Sequence, residues 1–263
     1  MRKKLVIAIL GALLLGAFGS LSFFSSPVSA TMRLRIEDLV AGVGAVITDN
    51  GPGDSNPLVG VLTFSSGVGS FAVNVTTGLS KPLIGGVSDL GQIDLNSVNV
   101  LTSGAGTLRL TLEDTGYVAG PGSTLQVFGT AGGTLIAPAG STITVQSWAN
   151  GGDLVPELGP DQAVVGAIGP IGGIPAGSVT AWTPEAVFGP GAFSGSSDGE
   201  FNNGAGDTFS LFAQVQVSFT GGGSVSFDEN QQVVPEPASL LLLGAGVAAL
   251  GLLASRKRQR RNN

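Results

Sequence analysis

The chain of 263 residues contains no cysteine and no histidine. Their absence excludes disulfide bonds, iron–sulfur clusters, Cys/His zinc sites and every nucleophile that depends on a Ser-His or Cys-His pair. Charge is also scarce, because charged residues make up 11% of the chain, whereas glycine contributes 43 residues and the mean hydropathy is +0.39. This composition excludes a highly charged disordered chain and favours apolar β-strands separated by glycine turns.

Charges of opposite sign occupy different parts of the chain. The segments Arg2–Lys4 and Arg256–Arg261 hold eight of the twelve basic residues. Between them, residues 31–234 carry 17 acidic and four basic residues, a net charge of −13. Such an acidic surface repels phosphate, so the sequence predicts no nucleic-acid partner. Basic clusters at both termini are typical of membrane-topology signals.

Residues 1–30 have the three parts of a secretory signal peptide. Arg2–Lys4 form a positive region, Leu5–Leu15 an apolar core, and Val28–Ala30 a small-residue cleavage site. We therefore expect export by the Sec machinery and cleavage by signal peptidase after Ala30. The alternative is an uncleaved membrane anchor, since apolar residues continue as far as Phe24. The absence of a nearby cysteine excludes a lipoprotein anchor.

The C-terminal segment, residues 234–261, combines a proline-rich motif, an apolar run and a basic tail. Val234–Pro237 is followed by the 17 apolar or small residues Ala238–Ala254. As a helix this run would span about 25 Å, the short end of a membrane crossing. The predicted stop-transfer cluster consists of Arg256, Lys257, Arg258, Arg260 and Arg261. By the positive-inside rule these residues stay in the cytoplasm.

This order of parts resembles the PEP-CTERM sorting signal of bacterial surface proteins, with Pro235, Glu236 and Pro237 as the sorting motif. The resemblance implies recognition by an exosortase, a membrane enzyme similar to cysteine transpeptidases, which removes the helix and the tail. It also implies a Gram-negative host that makes extracellular polysaccharide. The chain would be anchored transiently in the cytoplasmic membrane and then reach the cell envelope, cell surface or extracellular matrix. From the residues alone, a plain tail anchor is the alternative.

The body, residues 31–233, shows the period-2 alternation of half-buried strands. The clearest segments are Ser70–Thr76, Thr107–Glu113, Thr142–Gln146 and Asp207–Thr220; weaker ones are Arg33–Glu37, Val43–Thr48, Leu58–Phe64, Val98–Thr102, Leu125–Phe128 and Ser224–Phe227. This pattern predicts an all-β fold, a single β-sandwich with jelly-roll-like topology. Gly221–Gly223 is expected to close a hairpin. The proline-rich segment Val155–Pro190 is expected to be a surface excursion with one or two short edge strands.

Two acidic segments are the candidates for metal binding. Asp49, Asn50 and Asp54 could bind calcium weakly, or serve as the polar residues of a tight turn. Asp198–Asp207 is expected to be a second acidic loop, in which Asn203 stands where an EF-hand needs glycine. The sequence predicts no metal and no cofactor.

An enzymatic role has little support in the sequence. The glutamates available for glycoside hydrolysis are Glu113, Glu157, Glu185 and Glu200, and the aromatic residues that could stack on sugars are Tyr117, Trp148 and Trp182. Lys81, the single lysine of the body, lies in no Ser-x-x-Lys motif. We therefore predict a non-enzymatic surface or extracellular-matrix-associated protein. The alternative is a carbohydrate-binding β-sandwich module that binds extracellular polysaccharide.

Overall fold

A computed structural model describes residues 32–85, 90–119, 123–153, 178–180, 186–203 and 208–235. Several predicted features lie outside these ranges: the signal peptide with Ala30, the apolar segment 238–254 and the basic cluster 256–261. Across the described ranges, no helix has the length and apolar character needed to span a membrane.

The described part of the chain contains thirteen strands, joined by turns and loops, and no helix. The strands are β1 (Arg33–Asp38), β2 (Val43–Thr48), β3 (Val61–Val68), β4 (Phe71–Leu79), β5 (Gly91–Thr102), β6 (Gly106–Val118), β7 (Thr124–Ile136), β8 (Thr142–Asn150), β9 (Ser178–Thr180), β10 (Ala186–Phe188), β11 (Gly191–Asn202), β12 (Thr208–Phe219) and β13 (Gly223–Pro235). The all-β prediction is confirmed.

The strands form two antiparallel sheets that pack face to face as a sandwich. One sheet has the order β10-β8-β12-β6-β1-β2, with β9 also paired to β8, and is called the seven-stranded sheet. The other has the order β11-β7-β13-β5-β4-β3 and is called the six-stranded sheet. Their inner faces share one core of alternate apolar side chains, such as Leu108, Leu110 and Leu112 of β6. The predicted sandwich is therefore confirmed.

Consecutive described strands lie in different sheets at seven places along the chain, and four of these strand pairs are β5/β6, β7/β8, β10/β11 and β12/β13. The pairs lie side by side, because β12 pairs with β6 and β8 while β13 pairs with β5 and β7. This wrapping across both sheets gives the sandwich its jelly-roll-like character.

The prediction that Gly221–Gly223 closes a hairpin is wrong. The strands that this glycine turn connects, β12 and β13, lie in different sheets and do not pair with each other. Each is an inner strand with neighbours on both sides, so no edge is free for the other. The turn therefore carries the chain across the end of the sandwich.

The prediction of a second acidic loop is also wrong for Asp198–Asn202, while residues 204–207 of that segment lie outside the described residues. Asp198 and Glu200 lie on strand β11, which pairs with β7 along its whole length. Its sequence, GAFSGSSDGEFN, is rich in glycine and serine and shows little apolar alternation. Backbone hydrogen bonds to β7 define this edge strand. By contrast, β9 and β10 match the short edge strands expected within the proline-rich excursion.

Candidate functional site

The calcium candidates lie in the loop that follows β2, where their carboxylates accept backbone hydrogen bonds. Asp54 Oδ1 accepts the Thr63 N–H at 2.9 Å and Oδ2 accepts the Asn50 N–H at 3.0 Å, while Asp49 Oδ2 accepts the Gly60 N–H at 2.8 Å. Burial, together with the charge of Asp54, raises the pKa of Asp49. Asn50 has a left-handed backbone, with φ of 57°. This geometry supports the turn interpretation rather than a cation cage.

The structure does not bring together the two candidate glutamates that it describes. Glu113 lies on the outer face of the seven-stranded sheet, whereas Glu200 is exposed on β11 of the other sheet. Glu157 and Glu185 lie outside the described residues. Among the described residues, no group of three or more acidic side chains is arranged to hold a metal ion.

The aromatic candidates that the structure describes are buried. Trp148 is 4% exposed and stacks on Phe212, with ring centroids 5.2 Å apart. Tyr117 is 1% exposed and stacks on Phe209 at 5.3 Å. Neither ring is presented at the surface for stacking on a sugar. Trp182 lies outside the described residues.

A buried cluster of charges, which the sequence analysis missed, covers part of the outer face of the seven-stranded sheet. Arg33 Nη2 lies 2.6 Å from Glu113 Oε1, and Arg109 Nε lies 2.8 Å from Glu37 Oε2. Burial raises the pKa of Glu113 to about 7, although Arg33 and Arg35 act in the opposite direction. Burial also disfavours the charged form of Arg35, and it therefore lowers the pKa of that side chain. Period-2 alternation places these side chains opposite the core, but it gives no sign of their burial.

The outer face of the six-stranded sheet carries a shallow groove of about 530 Å³. Strand register places Asn74, Asn99, Ser226 and Thr134 in one row across four neighbouring strands. The residues that line the groove are Ser65, Ser66, Ala72, Val73, Asn74, Asn99, Val100, Leu101, Thr134, Ile136, Ser224, Val225 and Ser226. Its amide and hydroxyl groups can both donate and accept hydrogen bonds.

Two exposed apolar side chains also line this groove. Leu101 is 59% exposed and Ile136 is 68% exposed. Both are aligned with Ser224 on the strand between them. The groove therefore offers apolar contact beside a row of hydrogen-bonding groups.

The predicted sorting motif begins inside the last strand of the sandwich. Val233 is buried in β13, and the final residue of that strand, Pro235, is in register with Leu125 of β7. A proline is compatible with a strand end because it has no backbone N–H to donate. Glu236 and Pro237 lie outside the described residues.

Residues 233–259 match the family described as the PEP-CTERM protein-sorting motif. The chain carries a PEP-CTERM sorting motif. The resemblance stated from Pro235, Glu236 and Pro237 is thereby confirmed. The PEP-CTERM match supports an exported protein that an exosortase sorts. Among curated proteins, no relative matches the sequence.

Several solved β-sandwich structures are similar to this chain at low identity. One is the structure of TmCBM61 in complex with β-1,4-galactotriose, at 10% identity and a TM-score of 0.27, covering 63% of this chain and 88% of that one. A second, from carbohydrate-binding modules of the β-sandwich superfamily, has 14% identity and a TM-score of 0.26, covering 71% and 64%. The K1 cleaved adhesin domain of Lys-gingipain from Porphyromonas gingivalis W83 has 15% identity and a TM-score of 0.24, covering 67% and 99%. Values this low carry no inference about a ligand.

Proposed function

We propose that the chain is an exported, non-enzymatic protein of the cell surface or extracellular matrix, sorted by an exosortase through Pro235, Glu236 and Pro237. The observation that carries this proposal is the PEP-CTERM match over residues 233–259, directly at the end of the sandwich.

The physical basis for sorting is the cost of moving the basic tail through the membrane. A charged residue at the centre of a membrane helix costs roughly 2.5–3.5 kcal/mol on insertion scales. Five such residues follow the apolar segment 238–254, so translocation halts there. The motif then lies at the outer surface of the cytoplasmic membrane, where an exosortase can cut it.

The position of β13 makes this cut a release step. Pro235 is both the last residue of β13, in register with Leu125, and the first residue of the motif, so no residue separates the strand from the motif. The sandwich is therefore held against the membrane until the motif is cut. Cleavage frees an acidic domain to enter the envelope or its polysaccharide.

The two candidate glutamates that the structure describes, Glu113 and Glu200, support a non-enzymatic role. Glycoside hydrolysis needs two carboxyl groups on either side of one bond, about 5–10 Å apart. Glu113 is buried and paired with Arg33, while Glu200 lies on the other sheet. We expect a variant that carries both Glu113→Gln and Glu200→Gln to be sorted to the cell surface or extracellular matrix like the wild type.

Replacing Pro235, Glu236 and Pro237 together by alanine tests the sorting proposal. This variant keeps the apolar segment and the basic cluster, so we expect it to accumulate as a full-length membrane form. The readout is cell fractionation with immunoblotting and mass spectrometry. A control variant with Asn262 and Asn263 replaced by alanine should be processed like the wild type. Normal processing of the motif variant would leave a plain tail anchor as the explanation.

A second proposed function is binding of extracellular polysaccharide in the groove of the six-stranded sheet. The observation that favours it is the row of amide and hydroxyl groups beside Leu101 and Ile136. Sugars present hydroxyl groups at their edges and C–H groups on their faces, and this lining can contact both.

Binding can be measured by affinity electrophoresis of the mature protein in gels that contain polysaccharide from the host. Replacing Asn99 and Leu101 by alanine should abolish retardation. A Thr130→Ala variant changes an exposed residue of β7 outside the groove and should behave like the wild type. Equal retardation of all three proteins would exclude the groove as the binding site.

A further inference from the structure

A buried polar cluster joins the two sheets near the end of β4. Ser80 and Lys81 follow β4 of the six-stranded sheet, whereas Asp114 and Tyr117 lie on β6 of the seven-stranded sheet. Lys81 Nζ lies 2.7 Å from Asp114 Oδ2, and their side chains are 2% and 0% exposed. The amine and the carboxyl group therefore meet in a space that excludes solvent.

Several polar groups around this pair are hydrogen-bonded to it or to one another. The Ser80 hydroxyl donates to Asp114 Oδ2 and lies 2.5 Å from Tyr117 Oη. The Thr115 N–H donates to Asp114 Oδ1 at 2.8 Å, and Lys81 Nζ donates to the Thr115 carbonyl. Tyr117 Oη in turn donates to the Gln92 carbonyl at 2.7 Å. The two carboxyl oxygens thus have different surroundings.

We propose that Lys81 Nζ and Asp114 Cγ form an intramolecular amide bond with loss of one water molecule. Two charges in a dry interior are costly, and an amide removes both of them. A fixed amine next to a carboxyl group also has a very high effective concentration, because no diffusion or rotation is needed before attack.

The surroundings of Asp114 fit the steps of this condensation. One proton passes from the Lys81 ammonium to Oδ2, which leaves a neutral amine and a carboxylic acid. The nitrogen lone pair attacks Cγ and forms the C–N bond, while negative charge collects on Oδ1. The Thr115 N–H already points at Oδ1 and stabilises that charge.

The adduct then collapses to the amide. A second proton passes from the nitrogen to Oδ2, with the Ser80 hydroxyl within reach as a relay. The Cγ–Oδ2 bond breaks and Oδ2 leaves as water. The amide and one water molecule account for all the atoms and electrons of the two side chains. The condensation therefore requires no oxidant, reductant or co-reactant.

The bond would link the two sheets in a chain that has no cysteine for disulfides. It would tie the segment after β4 to β6, which is central in its sheet. An exported domain gains from such a link because a covalent loop limits the conformations of the unfolded chain.

Trypsin digestion of the denatured full chain tests the proposal directly. Lys81 precedes proline, which makes that bond resistant to trypsin, so Arg109 is the single cleavable site between residues 81 and 114. If the amide is present, the fragments 36–109 and 110–256 stay joined. The mass of the joined species is then the sum of the two fragment masses minus the mass of one water molecule. Tandem mass spectrometry should place the link at Lys81 and Asp114.

Two results would overturn the proposal. One is separation of the wild-type fragments at the masses given by their sequences, which would mean that Lys81 and Asp114 form an ion pair alone. The other is a link located at different residues. A Lys81→Arg variant keeps the positive charge without the amine and serves as the control, since its fragments must separate. The wild-type result decides the question even if that variant folds poorly.

Discussion

Glu229 is a buried carboxyl group without a hydrogen-bond partner. It lies on β13 facing the interior, is 0% exposed, and neither carboxyl oxygen has a partner. Its neighbours in register are Leu95 and Ala131, which offer no polar contact. Burial, together with the charge of Asp94, raises the pKa of Glu229 well above its usual value. The folded state therefore holds a proton that the unfolded chain releases near pH 4 to 5.

This difference makes stability depend on pH in a known direction. Between the unfolded and folded pKa values of Glu229, the folded protein binds more protons than the unfolded chain, so its contribution to stability falls as pH rises. Glu229→Met removes the carboxyl group and keeps an unbranched side chain. We expect this variant to be more stable than the wild type at pH 7 by roughly 1–3 kcal/mol, the cost of an unsatisfied buried polar group.

Urea unfolding of both proteins between pH 4 and 8 measures the effect. The gap between wild type and variant should widen with rising pH. Glu200→Met changes an exposed residue of β11 and should leave the stability unchanged. A constant gap across the pH range would mean that Glu229 does not carry the extra proton.

At the scale of the element, strand β7 has two adjacent glycines, Gly132 and Gly133, and only one of them has room for a Cβ atom. A Cβ on Gly133 would clash with the Ser226 carbonyl oxygen and would lie 2.9 Å from the Phe193 ring. A Cβ on Gly132 would have no neighbour closer than 3.6 Å. The close packing of β7 against β13 and β11 therefore requires glycine at position 133 but not at position 132.

We expect Gly133→Ala to destabilise the sandwich by about 1–3 kcal/mol, the usual cost of overpacking a core. Gly132→Ala should be neutral or slightly stabilising, since alanine restricts the unfolded chain. Thermal unfolding followed by circular dichroism distinguishes the two variants. Equal midpoints would show that β7 can shift away from Ser226 at little cost.

At the scale of the whole molecule, the first described strand, β1, begins three residues after the predicted cleavage site at Ala30. Met32 is buried, and its carbonyl accepts the Asp49 N–H at 3.0 Å, while β1 starts at Arg33. Cleavage after Ala30 would leave a single residue ahead of the core. The sorting motif borders the other end of the sandwich in the same way, at Pro235.

We therefore expect mature protein from the cell envelope to begin at Thr31. Ala30→Arg places a large charged residue where signal peptidase needs a small one, so this variant should keep Met1. Peptide mapping by mass spectrometry measures both N-termini. Wild-type envelope protein that retains Met1 would establish the uncleaved anchor instead.

Much of this protein could be predicted from residues close together in the sequence. The PEP-CTERM sorting signal is a linear order of Pro-Glu-Pro, an apolar segment and basic residues, so it can be identified without knowledge of the fold. The strands β4, β6, β8 and β12 were predicted from the alternation of apolar and polar residues, because that alternation reports burial on one face. Strand β11 was missed because its glycine and serine residues do not alternate in this way.

Only the tertiary structure decided which distant residues meet. Local alternation says which face of a strand is buried, but not which strands pair or in what register. The crossing at Gly221–Gly223, the isolation of Glu229 and the pairing of Lys81 with Asp114 all depend on that pairing. In each case the deciding contacts join residues far apart in the chain, and their geometry follows from the packing of two sheets.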